Sequence, residues 1–122
     1  MDHTYAKLSE VDVLAIWPGV VARAVEGDRL TLAVVDLEPD ADVEEHHHEN
    51  EQLGLVVKGE MHFTIGGAKR TLHAGEAYVI PSNVPHSAQA GSAGATVIDV
   101  FAPVRADWES KQRLPAAAGN WP

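Results

Sequence analysis

The sequence predicts an all-β protein, a sandwich or small barrel, on three observations. Short runs rich in Val, Ile, Thr, Leu and aromatic residues recur along nearly the whole chain. Turns carrying Gly or Pro separate them at short, regular spacing. Only one segment, close to the C-terminus, has helical character.

Taken in order, residues 11–17 and 20–25 are β-rich runs divided by Pro18-Gly19, and residues 29–37 form a β-branched run after the turn signal Glu26-Gly27-Asp28. Residues 39–42 read as a loop, and 43–48 lead into a histidine cluster. Residues 53–58 and 61–65 flank Gly59-Glu60, which reads as a tight hairpin, and Gly66-Gly67 turns the chain into 69–73. Residues 77–80 follow the turn Ala74-Gly75-Glu76, and the rigid loop 81–85 ends on His86. A tip at 91–94 precedes the last clear strand, 95–101; residues 106–113 read as helix and 114–122 as a surface tail.

A chain of 122 residues can bury one real core but not two. Residues 1–122 are therefore expected to form a single domain, with a barrel core over about 20–103 and a short helix and tail over 104–122. No long uncharged apolar run is present, so no helical membrane span is expected. Asp2, His3, Lys7 and Glu10 interrupt anything resembling a leader, which places the chain in the cytoplasm by default. A net charge of −9 argues against nucleic acid as a partner, because its binders cluster Lys and Arg against phosphates. The absence of cysteine removes disulfides and thiolate metal sites, leaving His, carboxylate and amide as possible ligands.

The run His46-His47-His48-Glu49-Asn50-Glu51-Gln52 is the most informative stretch. On extended backbone His46 and His48 share a face and His47 points the other way. Two imidazoles, a nearby amide oxygen and the distant His86 can close around one divalent ion; the plainer alternative is a polar, acid-flanked loop. Glu49 and Glu51 read as solvated charges, and His3, His62 and His73 as surface or structural residues. His62 shares a face with Thr64, either at a barrel mouth or on the exterior.

The full pattern is His-x-His, three residues, Gln52, six residues, Gly59, and then Gly75, five residues, Pro81, with His86 five positions on. This resembles the two motifs of the cupin superfamily, His-x-His-x(3 or 4)-Glu-x(6)-Gly and Gly-x(5)-Pro-x-Gly-x-x-His. The resemblance runs from about Arg29 to Phe101. It implies a double-stranded β-helix (cupin, jelly-roll-like) barrel and one divalent metal ion (Zn, Ni, Fe or Mn) held by His46, His48, Gln52 and His86. Three positions depart from the motifs: Gln52 replaces the usual Glu, Asn83 the second-motif Gly, and Ala90 an Asn that often trails the last His. Asn83 is a mild change because Asn tolerates positive φ. Gln52 removes a negative charge, which leaves the ion more Lewis-acidic and less tightly held.

On the last strand, alternation puts Asp99 and Phe101 on one face, followed by Arg105 after Pro103. Arg grips a carboxylate in a bidentate fork, a ring covers an apolar sugar face, and Asp exchanges a proton. The same three residues also read as a strand-end charge, a core ring and a salt bridge at a helix start. The Phe-Thr-Ile-Gly-Gly hairpin, Tyr-Val-Ile-Pro before His86, and the Asp-x-Phe-x(3)-Arg exit are similar to small single-domain cupins of the pectin-degradation KdgF type. That resemblance implies Asp99, Phe101 and Arg105 as working residues in the linearisation of a 4,5-unsaturated monouronate to a 5-keto-4-deoxyuronate. Two other readings stay open: a cupin dioxygenase or polyketide cyclase, and a non-enzymatic cupin that binds a small acid or sugar. The expected partners are a small-molecule substrate, a sugar acid, and a second copy in a homodimer that covers exposed barrel edges.

Overall fold

Among the described residues, alternating burial along extended runs builds nine strands: β1 (Val13–Trp17), β2 (Val20–Glu26), β3 (Thr31–Leu37), β4 (Asp42–His46), β5 (Glu51–Ile65), β6 (Ala68–His73), β7 (Ala77–Ile80), β8 (His86–Ala102) and β9 (Gln112–Leu114). The structure, a computed structural model, describes residues 4–122; His3 lies outside them. All strand pairs are antiparallel, in the order β6-β5-β8-β3-β2-β1-β9, with β4 also on β8 and β7 also on β5. No helix among the described residues is long and apolar enough to cross a membrane.

The two long strands make the barrel. The first half of β5 pairs with the second half of β8, and the second half of β5 with the first half of β8, with register shifts at Val56/Lys58 and Gly59/Met61. One sheet therefore holds β7, early β5, late β8, β3, β2, β1 and β9; the other holds β6, late β5, early β8 and β4. This corrects the expected hairpin at Gly59-Glu60 and the expected tip at 91–94. Both stretches lie inside continuous strands, where Gly59 (φ 77°) and Gly94 (φ 78°) take up the bend. A Cβ on Gly59 would collide with the Gly94 carbonyl oxygen, so the two backbones meet here only because side chains are absent. The expected turn at Gly66-Gly67 is present, with φ of 54° and 83° suited to a two-residue hairpin between β5 and β6.

Side chains from both sheets share one core, in which Val56, Met61 and Ile80 are almost wholly enclosed. Burying each such side chain stabilises the fold by about 1.5–3 kcal/mol. The C-terminal helix expected over 106–113 is instead one 3-10 turn, Ala106–Ser110, followed by β9 on the edge of β1. Trp108 of that turn is buried against Phe101, with ring centroids 5.2 Å apart, and this anchor ends the turn where β9 finds an open edge. The tail lies on the sheet through hydrogen bonds from Arg23 to the Trp121 carbonyl, from Lys58 to the Asn120 carbonyl (3.0 Å), and from the Asn120 N–H to Asp36 (3.2 Å).

Candidate metal centre and acid pocket

Three imidazoles converge between the two sheets. His46 ends β4, His48 follows it, and His86 opens β8 directly opposite His46 in register. One ligand nitrogen from each lies within 4.8 Å of the others. Each Nδ1 lies against a carbonyl oxygen two residues away along the chain: His46 on Glu44 (2.8 Å), His48 on Asn50 (3.0 Å) and His86 on Val84 (2.8 Å). Since a carbonyl only accepts, each Nδ1 carries the proton and each Nε2 keeps its lone pair for the centre of the group. His48 Nε2 is buried with no hydrogen-bond partner. Three inward lone pairs, one of them orphaned, are the donor set a divalent ion requires, so these residues fit the metal that the motif implies.

Burial also favours the neutral form of two of the rings. It lowers His86 to about 4 and His48 below its ordinary value, with the charge of Arg105 as a further cause in both. Asn83 holds a φ of 62°, the left-handed backbone that the second motif usually gives to Gly. His47 is exposed and outside the group. His62 and His73 face the exterior, sharing Glu60 at 3.6 and 3.1 Å, which decides the open question about His62.

Next to the imidazoles, Gln52 on β5 is buried and lines the same cavity as His48 and Asp99. Asp99 is wholly enclosed; burial raises its carboxyl to about 6, partly offset by hydrogen bonds from Tyr78 and Gln52 and by the Arg105 charge. The Tyr78 hydroxyl donates to Asp99 Oδ1 at 2.6 Å, and burial followed by the neighbouring Asp99 pushes its own pKa well up. Register explains the contact: Tyr78, Gly54 and Asp99 lie in one row across β7, β5 and β8. A Cβ on Gly54 would overlap the Tyr78 ring, so the glycine opens the path by which Tyr78 reaches Asp99.

Arg105 completes the pocket. Its backbone N–H donates to Thr31 Oγ1 (2.9 Å), and its guanidinium lies 4.7 Å from the ring centroids of both Phe101 and Trp108. Its Nε and Nη2 donate to the two Asp107 oxygens at 3.0 and 2.8 Å, which holds the Asp107 carboxyl below its usual range. A cavity of about 260 Å³ is lined by His46, His48, His86, Gln52, Asp99 and Arg105, among others. The structure thus gathers all seven sequence-selected residues at one cavity, since Phe101 also lines it.

Residue-by-residue reading passed over Tyr78, Asn50 and Asp107. The alternation of residues 77–80 marks Tyr78 as inward, but its partner is set by strand register. Asn50 is buried and donates to the Pro103 (2.6 Å) and Val104 (3.2 Å) carbonyls, tying the histidine loop to the segment that carries Arg105. Its place inside a run of polar residues gives no sign of this.

A cupin-domain family (Cupin_2) matches residues 33–101, more than half of the chain. The chain is a cupin. It groups with KdgF-like members: it is similar to the solved structure of KdgF from Halomonas sp., with TM-score 0.78 and 32% identity over 85% of this cupin and 96% of that chain. The pectin degradation protein KdgF of Dickeya dadantii (strain 3937) is 36% identical over 64 residues, 52% of this cupin and 58% of that protein. A Bacillus subtilis protein named H2HPP isomerase is 48% identical over 52 residues, 42% of this cupin and 22% of that protein. The matched stretches thus span less than two thirds of either curated relative.

Proposed function

We propose that this cupin is a metal-dependent isomerase or lyase that linearises an unsaturated uronate, converting a 4,5-unsaturated monouronate to a 5-keto-4-deoxyuronate. The observation that carries this reading is one cavity that holds an inward imidazole trio, an enclosed carboxyl poised near 6 and a clamped guanidinium. The likeness to two proteins named KdgF supports the substrate class, and the likeness to a named isomerase supports chemistry without redox change.

The reaction is an isomerisation: the O1 proton leaves, the bond from C1 to the ring oxygen breaks, C5 becomes a ketone and C4 gains a proton. His46, His48, His86 and Gln52 would hold a divalent ion of Zn or Ni type, which when bound supplies Lewis-acid polarisation of a substrate oxygen. Asp99 exchanges the proton, and a carboxyl near 6 suits transfer in either direction around neutrality. Arg105 orients the uronate carboxylate, and Phe101 packs the ring and keeps water from the guanidinium.

The test is to incubate metal-loaded protein with unsaturated galacturonate and follow the conjugated ultraviolet band. Loss faster than in buffer is expected. A rate equal to buffer would overturn the reading.

A further inference from the structure

Arg105 is the fixed member of an ion pair whose other member is free to leave. Its backbone is tied to Thr31, its guanidinium packs against the adjoining rings of Phe101 and Trp108, and its side chain is 9% exposed. The Asp107 side chain is 59% exposed, on a one-turn 3-10 segment of which only Trp108 is buried. Yet Asp107 occupies Nε and Nη2, an edge of the guanidinium that can receive a carboxylate in a two-point fork. Both residues line the cavity.

Burial explains why a partner must be there: a guanidinium enclosed without a counter-ion is strongly unfavourable. Exposure explains why that partner can go, because rotating Asp107 into water restores its hydration and leaves the contacts of Arg105 with both rings and with Thr31 in place. We propose that Asp107 is an exchangeable internal counter-ion, holding the Arg105 fork while the cavity is empty and displaced by the carboxylate of an incoming small organic acid. One carboxylate leaves the fork as another enters, so the pairing of Arg105 is preserved throughout. Asp107 thereby sets the affinity of the site for acids and leaves its affinity for neutral sugars alone. The inference rests on the uronate reading only for the role of Arg105.

The experiment is calorimetric titration of protein at fixed metal content with D-galacturonate, and with D-galactose as the neutral match. Asp107→Ala and the size-preserving Asp107→Asn are compared with Glu109→Ala, which removes one exposed charge from the same turn. Removing a half-exposed competing ion pair should tighten galacturonate binding by about 3- to 10-fold in both Asp107 variants. Galactose binding should be unchanged, and Glu109→Ala should behave as wild type. Unchanged or weaker galacturonate binding in the Asp107 variants would overturn the proposal, the weaker case showing that Asp107 orients Arg105. So would an equal gain in Glu109→Ala, or no detectable galacturonate binding in any variant. Galacturonate lacks the C4=C5 bond and is not linearised by this route, so the two readings fail separately. Tighter binding without turnover of the unsaturated uronate sinks the reaction alone, and turnover without tighter binding sinks the counter-ion alone.

Discussion

Tyr78→Phe is the sharpest test of how the acid pocket is built. The substitution keeps the ring over Gly54 and removes only the hydroxyl that reaches Asp99 Oδ1 at 2.6 Å. When Asp99 is ionised, that bond is charge-assisted and its loss costs about 1.5–3 kcal/mol; when Asp99 is protonated, it is an ordinary bond worth about 0.5–1.5 kcal/mol. The difference, about 1 kcal/mol, must reappear as a rise of about 0.7 unit in the Asp99 pKa. The carboxyl starts at about 6, so the variant should titrate closer to neutrality. Urea unfolding of the metal-free protein at pH 5 and pH 8 gives the first quantity, and carboxyl-carbon NMR titration of Asp99 the second. A stability loss equal at both pH values, with no movement of the Asp99 titration, would refute the argument.

Three further outcomes are expected. Asp99→Asn keeps the shape but loses proton exchange, so turnover of unsaturated uronate should fall by at least about 100-fold. Galacturonate binding should survive; retained turnover would remove Asp99 from the chemistry. Gln52→Glu adds a charged donor beside the imidazoles, so metal should be lost to a chelator more slowly than from wild type; faster loss would place Gln52 outside the ligand set. Burial lowers His86 from 6.5 to about 4, so below pH 6.5 the unfolded chain binds the proton that the folded chain refuses. The stabilisation that rests on a neutral His86 is complete above 6.5 and declines as pH falls through that window toward 4. Urea midpoints of metal-free protein at pH 7 and pH 5 should show a smaller acid loss in His86→Gln than in wild type.

The sequence made the barrel and its site legible to different depths. Alternation along residues 95–101, together with the spacing of His46, His48, Gln52 and His86, is enough to choose seven residues that line the cavity, because a strand's period assigns faces without knowledge of its neighbours. The sequence reads a hairpin at Gly59-Glu60 and a tip at 91–94 where the structure has continuous strands, so β5 is split and β8 starts late. A glycine with positive φ serves a tight turn and a bend inside a strand equally well, and only the pairing of β5 with β8 distinguishes them. The same limit hid Tyr78, whose partner lies two strands away across Gly54. The turn at 106–110 stops short for a tertiary reason as well: Trp108 is drawn into the core and the following residues pair with β1.

Strand register also gives a physical account of Gln52. The residue lies beside Asp99 and lines the cavity that the imidazoles also line. Its hydrogen bond favours the ionised Asp99, so it must be donated by the amide NH₂, since a carboxylate only accepts. The amide oxygen then remains for the imidazole side, where an ion would sit. A glutamate could supply that oxygen, but it would press a second carboxylate against Asp99 and push one of the two toward protonation. Asp99 already carries the penalty of full burial, held down only by Tyr78, Gln52 and Arg105. In a pocket that uses Asp99 as a proton carrier near neutrality, glutamine is the donor that serves both neighbours. A cupin whose chemistry lies on the ion alone has no such carboxylate to protect, and can keep glutamate at this position.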